Sequence, residues 1–137
     1  MWSALEPGSK VTAIVDWEKT AVAPWGDEVV STALVFFTGE HSGQLDLDLV
    51  RAFIEGYVTA RPQFTEQELT YSVRRVWWER LTDFWILVWH YQNADHRADS
   101  LFPATAALVP WWTENYDKVL DAFLQGAAAA TGTAPLR

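Results

Sequence analysis

The sequence predicts an α+β domain that is mostly α: one N-terminal β-hairpin followed by about four helices. Three observations point there. A β-branched run, Val11-Thr12-Ala13-Ile14-Val15, stands behind the turn cluster Glu6-Pro7-Gly8-Ser9. Apolar residues then recur at helical spacing from Val29 onward. Thr65 and Glu68 make a capping box, with Phe64 and Leu69 spaced as a hydrophobic staple across it.

Taken in order, Met1-Trp2-Ser3 reads as the end of one hairpin strand and Val11–Val15 as the other. Trp17 to Gly26 contains Pro24 and reads as an ordered loop. Asp27 is placed to cap a helix carrying Val29, Val30, Ala33, Leu34 and Phe37, with Gly39 and Gly43 at its end. Leu49, Val50, Phe53, Ile54, Tyr57 and Val58 form the stripe of a second helix, which Arg61-Pro62 closes. The capped third helix is expected to turn Val73, Val76, Trp77, Leu81, Phe84, Trp85 and Val88 inward and to end near Asn93. A last helix is expected from about Pro110, a residue tolerated in a first turn, with Trp112, Tyr116, Val119, Leu120 and Phe123 inside and Gly126 near its end. The chain reads as one domain over 1–137: hairpin and loop entry over 1–18, helices over 27–126, and a small-residue tail over 127–137 expected to fray. A lone two-stranded hairpin is marginal in water, so this one must pack on the helices or on something further.

Composition removes several functions. Half of the 137 residues are apolar and 15% aromatic, with nine Trp, which excludes a disordered chain. No Cys excludes a disulfide scaffold, a thiolate metal site and a cysteine nucleophile. A formal charge of -8 argues against nucleic acid, whose phosphates require a basic face. The longest apolar run, Phe84–Trp89, falls far short of the roughly 20 residues that cross a bilayer. With no signal peptide at Met1–Lys10, the expected address is cytoplasmic.

The segment that carries chemistry is Ile14-Val15-Asp16-Trp17-Glu18. A carboxylate leaving a buried strand is well placed to hold a hard divalent cation, because the strand fixes where the oxygens point. Capping of the following loop is the structural alternative for Asp16. Together with Ala23-Pro24 and then Asp27-Glu28-Val29, the run Val11–Ala33 resembles the aminoglycoside phosphotransferase and choline kinase-like family, including homoserine kinases. Gly56-Tyr57 followed by Arg61-Pro62 is similar to a stretch of the homoserine kinase-like members. The resemblance spans most of the chain and is most specific over Val11–Ala33. It implies the C-terminal lobe of a protein-kinase-like fold, in which Asp16 binds the magnesium of Mg·ATP and Asp27 braces the catalytic loop. It further implies a small-molecule acceptor, such as an aminoglycoside or amino alcohol, met by the later helices.

Acceptor-side candidates are Glu79 and Asp83, four residues apart, and Trp78, which lies off the inner stripe. Arg75 and Arg80 stand close enough to neutralise the two carboxylates, so a solvated charged face is the other reading. Among the six Trp between Trp77 and Trp112, most fit core positions. His41, His90 and His96 lack the spacing of a zinc site. His96-Arg97-Ala98-Asp99 imitates a kinase catalytic loop but follows the metal-type Asp, where the family's loop precedes it, and reads as a surface connector.

Phosphoryl transfer also needs a Gly-rich loop, a strand Lys and a catalytic Asp and Asn, and none of these is present. The family's His-Gly-Asp loop and its Asn would lie just upstream of Met1. The chain is therefore expected to be inactive alone and to bind little Mg²⁺ or ATP, as a C-terminal fragment, a mis-started frame or a pseudoenzyme. Its partners would be an N-terminal half or a second copy. The rival expectation is an acidic helical module that binds a protein through exposed aromatics.

Overall fold

The computed structural model describes residues 22–132, and these are mostly helical. The expected hairpin, Asp16 and residues 133–137 lie outside the described residues. Among the described residues no strand occurs; one isolated antiparallel bridge joins Thr38 to Leu45.

Among the described residues six α-helices follow one another where about four are expected. Helix α1 spans Trp25–Phe37, α2 Leu47–Ala60 and α3 Glu66–Thr82. Helix α4 spans Trp85–Gln92, α5 Phe102–Glu114 and α6 Tyr116–Thr131, with a short 3₁₀ turn at Asp99–Leu101. None is long and apolar enough to cross a membrane among the described residues.

The core forms where the apolar stripes meet. Helices α2 and α6 make the most extensive pairing, and α1 with α3 the next. Val50, Ile54 and Val58 of α2 are fully buried with Val119, Ala122 and Phe123 of α6. Burying side chains of this size contributes roughly 1.5–3 kcal/mol each before entropy is counted. Gly126 lets the two helices touch: a Cβ there would sit 2.5 Å from the Arg51 carbonyl oxygen and 3.0 Å from Ile54 Cβ. On the other side of the core, Trp25 stacks on Tyr57 at 6.0 Å and meets the edge of Phe64 at 5.1 Å.

The caps explain the boundaries. Asp46 Oδ1 accepts from the N–H groups of Asp48 and Leu49, both at 3.1 Å, and starts α2. The Thr65 hydroxyl oxygen accepts from Glu68 N–H at 3.2 Å, so Thr65 caps α3 as expected, while the Glu68 carboxylate accepts from the Thr65 hydroxyl at 2.8 Å instead of from its backbone N–H as a full capping box would have it. Leu69 behind it is fully buried and Phe64 half-buried, as a staple requires.

Two expected helices break. The long third helix ends at Thr82, because Asp83 is extended (φ −90°, ψ 102°) and its carboxylate captures Arg80 Nη1 at 3.2 Å and Trp85 N–H at 3.3 Å. The Thr82 hydroxyl donates to the Glu79 carbonyl at 3.2 Å, satisfying a helix end that would otherwise be open. Beyond the break the expected inward stripe fails: Phe84 is 61% exposed and Val88 is exposed as well. The last helix does not begin at Pro110, which lies inside α5. The boundary is Asn115, whose Nδ2 donates to the Trp111 carbonyl at 2.9 Å. Helix α6 then runs past Gly126 to Thr131 and closes on Gly132 in the left-handed region (φ 66°). Its Ala127, expected to fray, is buried.

Two glycine substitutions separate propensity from packing. Gly126→Ala is expected to lower stability by about 1–3 kcal/mol, because overpacking outweighs the helix propensity gained. Gly56→Ala, with nothing within 4 Å of its Cβ, is expected to raise it by about 0.5–1 kcal/mol. Chemical denaturation of the two variants beside the parent chain checks both signs.

Candidate functional site

Three places bring polar chemistry together. The first is the α1–α3 junction. Pro24 precedes α1 and its carbonyl accepts from Asp27 N–H at 3.1 Å, so Asp27 sits in the first turn and is not the N-cap. Gly26 is buried against Ser72, and any side chain there would collide with the Ser72 hydroxyl. That close approach carries the Asp27 carboxylate, 14% exposed, to Arg75 of α3, with Oδ2 3.3 Å from Nη1. Arg75 also donates to Glu79 at 3.1 Å. That hydrogen bond, followed by the charge of Asp27, holds the guanidinium above its ordinary pKa and keeps it a permanent counter-charge. The other Asp27 oxygen, Oδ1, is buried with no hydrogen-bond partner among the described residues. Buried carboxylate oxygens are costly to leave unpaired, so this one marks a place where a donor is wanted.

The second is an apolar cleft of about 240 Å³ between the end of α3, α4 and α5. Phe84, Leu87, Phe102 and Val109 make its walls, and Arg80 and Asp83 supply its charge. Pro110 also lines it. Lacking an N–H, Pro110 makes no helix hydrogen bond to the carbonyl of Ala106, another lining residue. Such a cleft suits a small ligand with an apolar body and one cationic group, which Asp83 would meet in competition with Arg80. Of the acceptor-side candidates, only Asp83 lines this cleft. Glu79 is 54% exposed and held by Arg75, and Trp78 is 61% exposed.

The third is a cluster of His90, in the last turn of α4, with His96 and Asp99 from the turn behind it. His90 Nδ1 lies 2.9 Å and His96 Nδ1 3.1 Å from Asp99 Oδ2, and the two nitrogens are 3.1 Å apart. Burial pushes the Asp99 carboxyl up, but the hydrogen bonds and charge of both histidines outweigh it and hold the group below its ordinary value. Sequence spacing misses this cluster, because neither His stands three or four residues from the other. The turn that joins them is fastened by Arg97, which clamps Asp95 through Nε at 3.0 Å and Nη2 at 2.6 Å. That clamp depresses the Asp95 carboxyl to about 2.

Asp16 lies outside the described residues. Lys118, the one lysine among them, donates to Asn115 at 3.0 Å, so no phosphate-binding lysine is placed at either cleft or junction. Comparison with models of protein families, with curated proteins and with solved structures finds no match for this chain.

Two measurements probe these sites. A double-mutant cycle with Asp27→Asn and Arg75→Ala, read by denaturation, is expected to give a coupling of about 1 kcal/mol, since Arg75 is half exposed and partly screened. Carbon-detected NMR titration is expected to find Asp95 near 2 and, in Arg97→Ala, raised toward the ordinary value of about 3.9 without reaching it, because the backbone N–H of residue 97 still donates to Asp95 Oδ1 at 3.1 Å. Because the folded pKa is depressed, the stabilisation from this clamp is present above about pH 4 and is lost as pH falls through 2.

Proposed function

We propose that this chain is the C-terminal part of an ATP-dependent small-molecule phosphotransferase of the aminoglycoside phosphotransferase and choline kinase-like kind. The observation that carries the reading is Asp27: a nearly buried carboxylate in the first turn of α1, directly behind Ala23-Pro24, with one oxygen on Arg75 and the other unpartnered among the described residues. A carboxylate that braces a catalytic loop from behind needs that combination, one oxygen anchored and one turned to backbone donors of another segment.

In this reading the N-terminal run forms the hairpin of a kinase-like lobe and Asp16 holds Mg²⁺, whose preference for carboxylate oxygen it meets. The magnesium and ATP supply the phosphoryl group and its charge neutralisation. This chain's own residues brace the loop through Asp27 and meet the acceptor through Asp83, while Glu79 and Trp78 lie outside the cleft lining. An acceptor hydroxyl carried on a cationic amino compound fits the cleft best, since Asp83 is its carboxylate and its walls are apolar. In this reading the chain is inactive by itself, because among the described residues none covers the phosphates or takes the hydroxyl proton.

A second reading has its own observation. Helix α4, Trp-Ile-Leu-Val-Trp-His-Tyr-Gln, buries Ile86 alone, while Trp89 and Tyr91 beside Phe84 and Phe102 stay exposed. Such a surface also fits an acidic module that binds a protein through aromatics.

The reading frame upstream of Met1 separates the two. It is expected to encode His-Gly-Asp followed by Asn, and the extended protein is expected to phosphorylate an amino alcohol or aminoglycoside with ATP and Mg²⁺. Asp16→Ala in that protein should reduce turnover to background. A stop codon and ribosome-binding site directly upstream, with no activity after adding an N-terminal half, would leave only the interaction module.

A further inference from the structure

The three polar atoms of His90, His96 and Asp99 form a triangle with sides of 2.9, 3.1 and 3.1 Å. Hydrogen bonds cannot account for all three sides. A closed ring would need every atom to donate and accept, whereas an imidazole Nδ1 does one or the other and an ionised carboxylate only accepts. With both nitrogens protonated, the His–His side sets donor against donor. With one protonated, the second nitrogen faces the carboxylate lone pair to lone pair. A cation in front of the triangle satisfies every side at once.

The dimensions fit a particular kind of ion. A first-row divalent metal about 2.1 Å from three ligands at the right angles of an octahedral face separates those ligands by about 3.0 Å, the edge seen here, against roughly 3.4 Å around a tetrahedral zinc. We propose that His90, His96 and Asp99 form a binding site for one divalent transition-metal ion of octahedral preference, such as Ni²⁺, with two imidazoles and one carboxylate on a single face of its coordination sphere. The remaining positions open to solvent, since the three side chains are 36%, 62% and 37% exposed. Two nitrogen ligands disfavour Mg²⁺ and Ca²⁺, which seek oxygen. This site is therefore separate in chemistry from the magnesium expected at Asp16, and it stands whether or not the phosphotransferase reading does.

The backbone is shaped to bring the ligands together. Ala94 adopts φ 51°, the one non-glycine residue in the left-handed region among the described residues. Strain of this kind persists only where the surroundings enforce it. The reversal at Ala94 is closed by Asp95 N–H on the Trp89 carbonyl at 3.0 Å, which folds His96 back beside His90. The 3₁₀ turn then starts with Asp99, whose N–H donates to the His96 carbonyl at 3.2 Å. Arg97, the cation nearest in sequence, is taken up by Asp95 and by the face of Trp89 at 5.9 Å.

Isothermal titration of the untagged full chain with NiCl₂ and ZnCl₂ in metal-free buffer tests the site. One ion per chain is expected, unaffected by millimolar Mg²⁺. His90→Ala and His96→Ala should each weaken binding roughly 100-fold or more, and Asp99→Asn should weaken it too. His41→Ala, on a histidine outside the cluster, should leave it unchanged. Far-UV circular dichroism of each variant is expected to match the parent, because His96 is largely exposed. Substoichiometric uptake, or an affinity that His96→Ala leaves unchanged in a folded chain, or equal weakening by His41→Ala, overturns the proposal.

Discussion

Contact between α2 and α6 at Gly126 is the constraint on which the rest of this fold depends. Because no side chain stands between the helices there, the backbone of α6 rests against the Arg51 carbonyl, and Ile54 and Phe123 close around the seam. Interiors packed to crystal-like density do not absorb even a methyl group without strain. With this pair set, α3 packs onto α6 and α1 onto α3, and the polar junctions between them follow.

The same packing distributes the aromatic residues unevenly. Trp25, Phe37, Phe53, Tyr57 and Phe64 line the flank of the α1–α2 seam through ring contacts. Trp77 reaches across to Thr113, giving its indole N–H a partner at 3.1 Å, and meets Tyr116 edge-on at 5.3 Å. By contrast, the α4 segment has little to pack on, so its apolar residues remain at the surface and border the cleft. Helices α1, α2, α3 and α6 therefore supply most of the buried core, and the segment from the end of α3 through α5 supplies the cleft and the His90–His96–Asp99 cluster.

Polar residues decide where that segment begins and ends. Asp83 ends α3 by offering its carboxylate to Arg80 and to the next helix, and Asn115 ends α5 by bonding back to Trp111. Both residues sit inside apolar patterns that read as continuous helices. A short polar side chain competes locally with the helix for backbone groups, and whether it wins is set by its neighbours in the fold, not by periodicity.

What could be read from the residues alone was whatever local pairing enforces. The stripe of α2 (Leu49 excepted, which stays exposed), the Arg61-Pro62 stop and the Thr65 cap involve groups within one or two turns, so their energetics are present in the string itself. Asp27 was legible as a helix-opening carboxylate, though not as one paired to Arg75, a residue 48 positions later. Its pairing needs the Gly26–Ser72 approach, which arises only when α1 lies on α3. The split of the third helix, the cleft holding Asp83 and the meeting of His90 with His96 and Asp99 were decided by tertiary structure. Each depends on how the chain turns at one residue (Asp83, or Ala94 with its positive φ), and a turn of that kind is stabilised by contacts that exist only after the fold has closed.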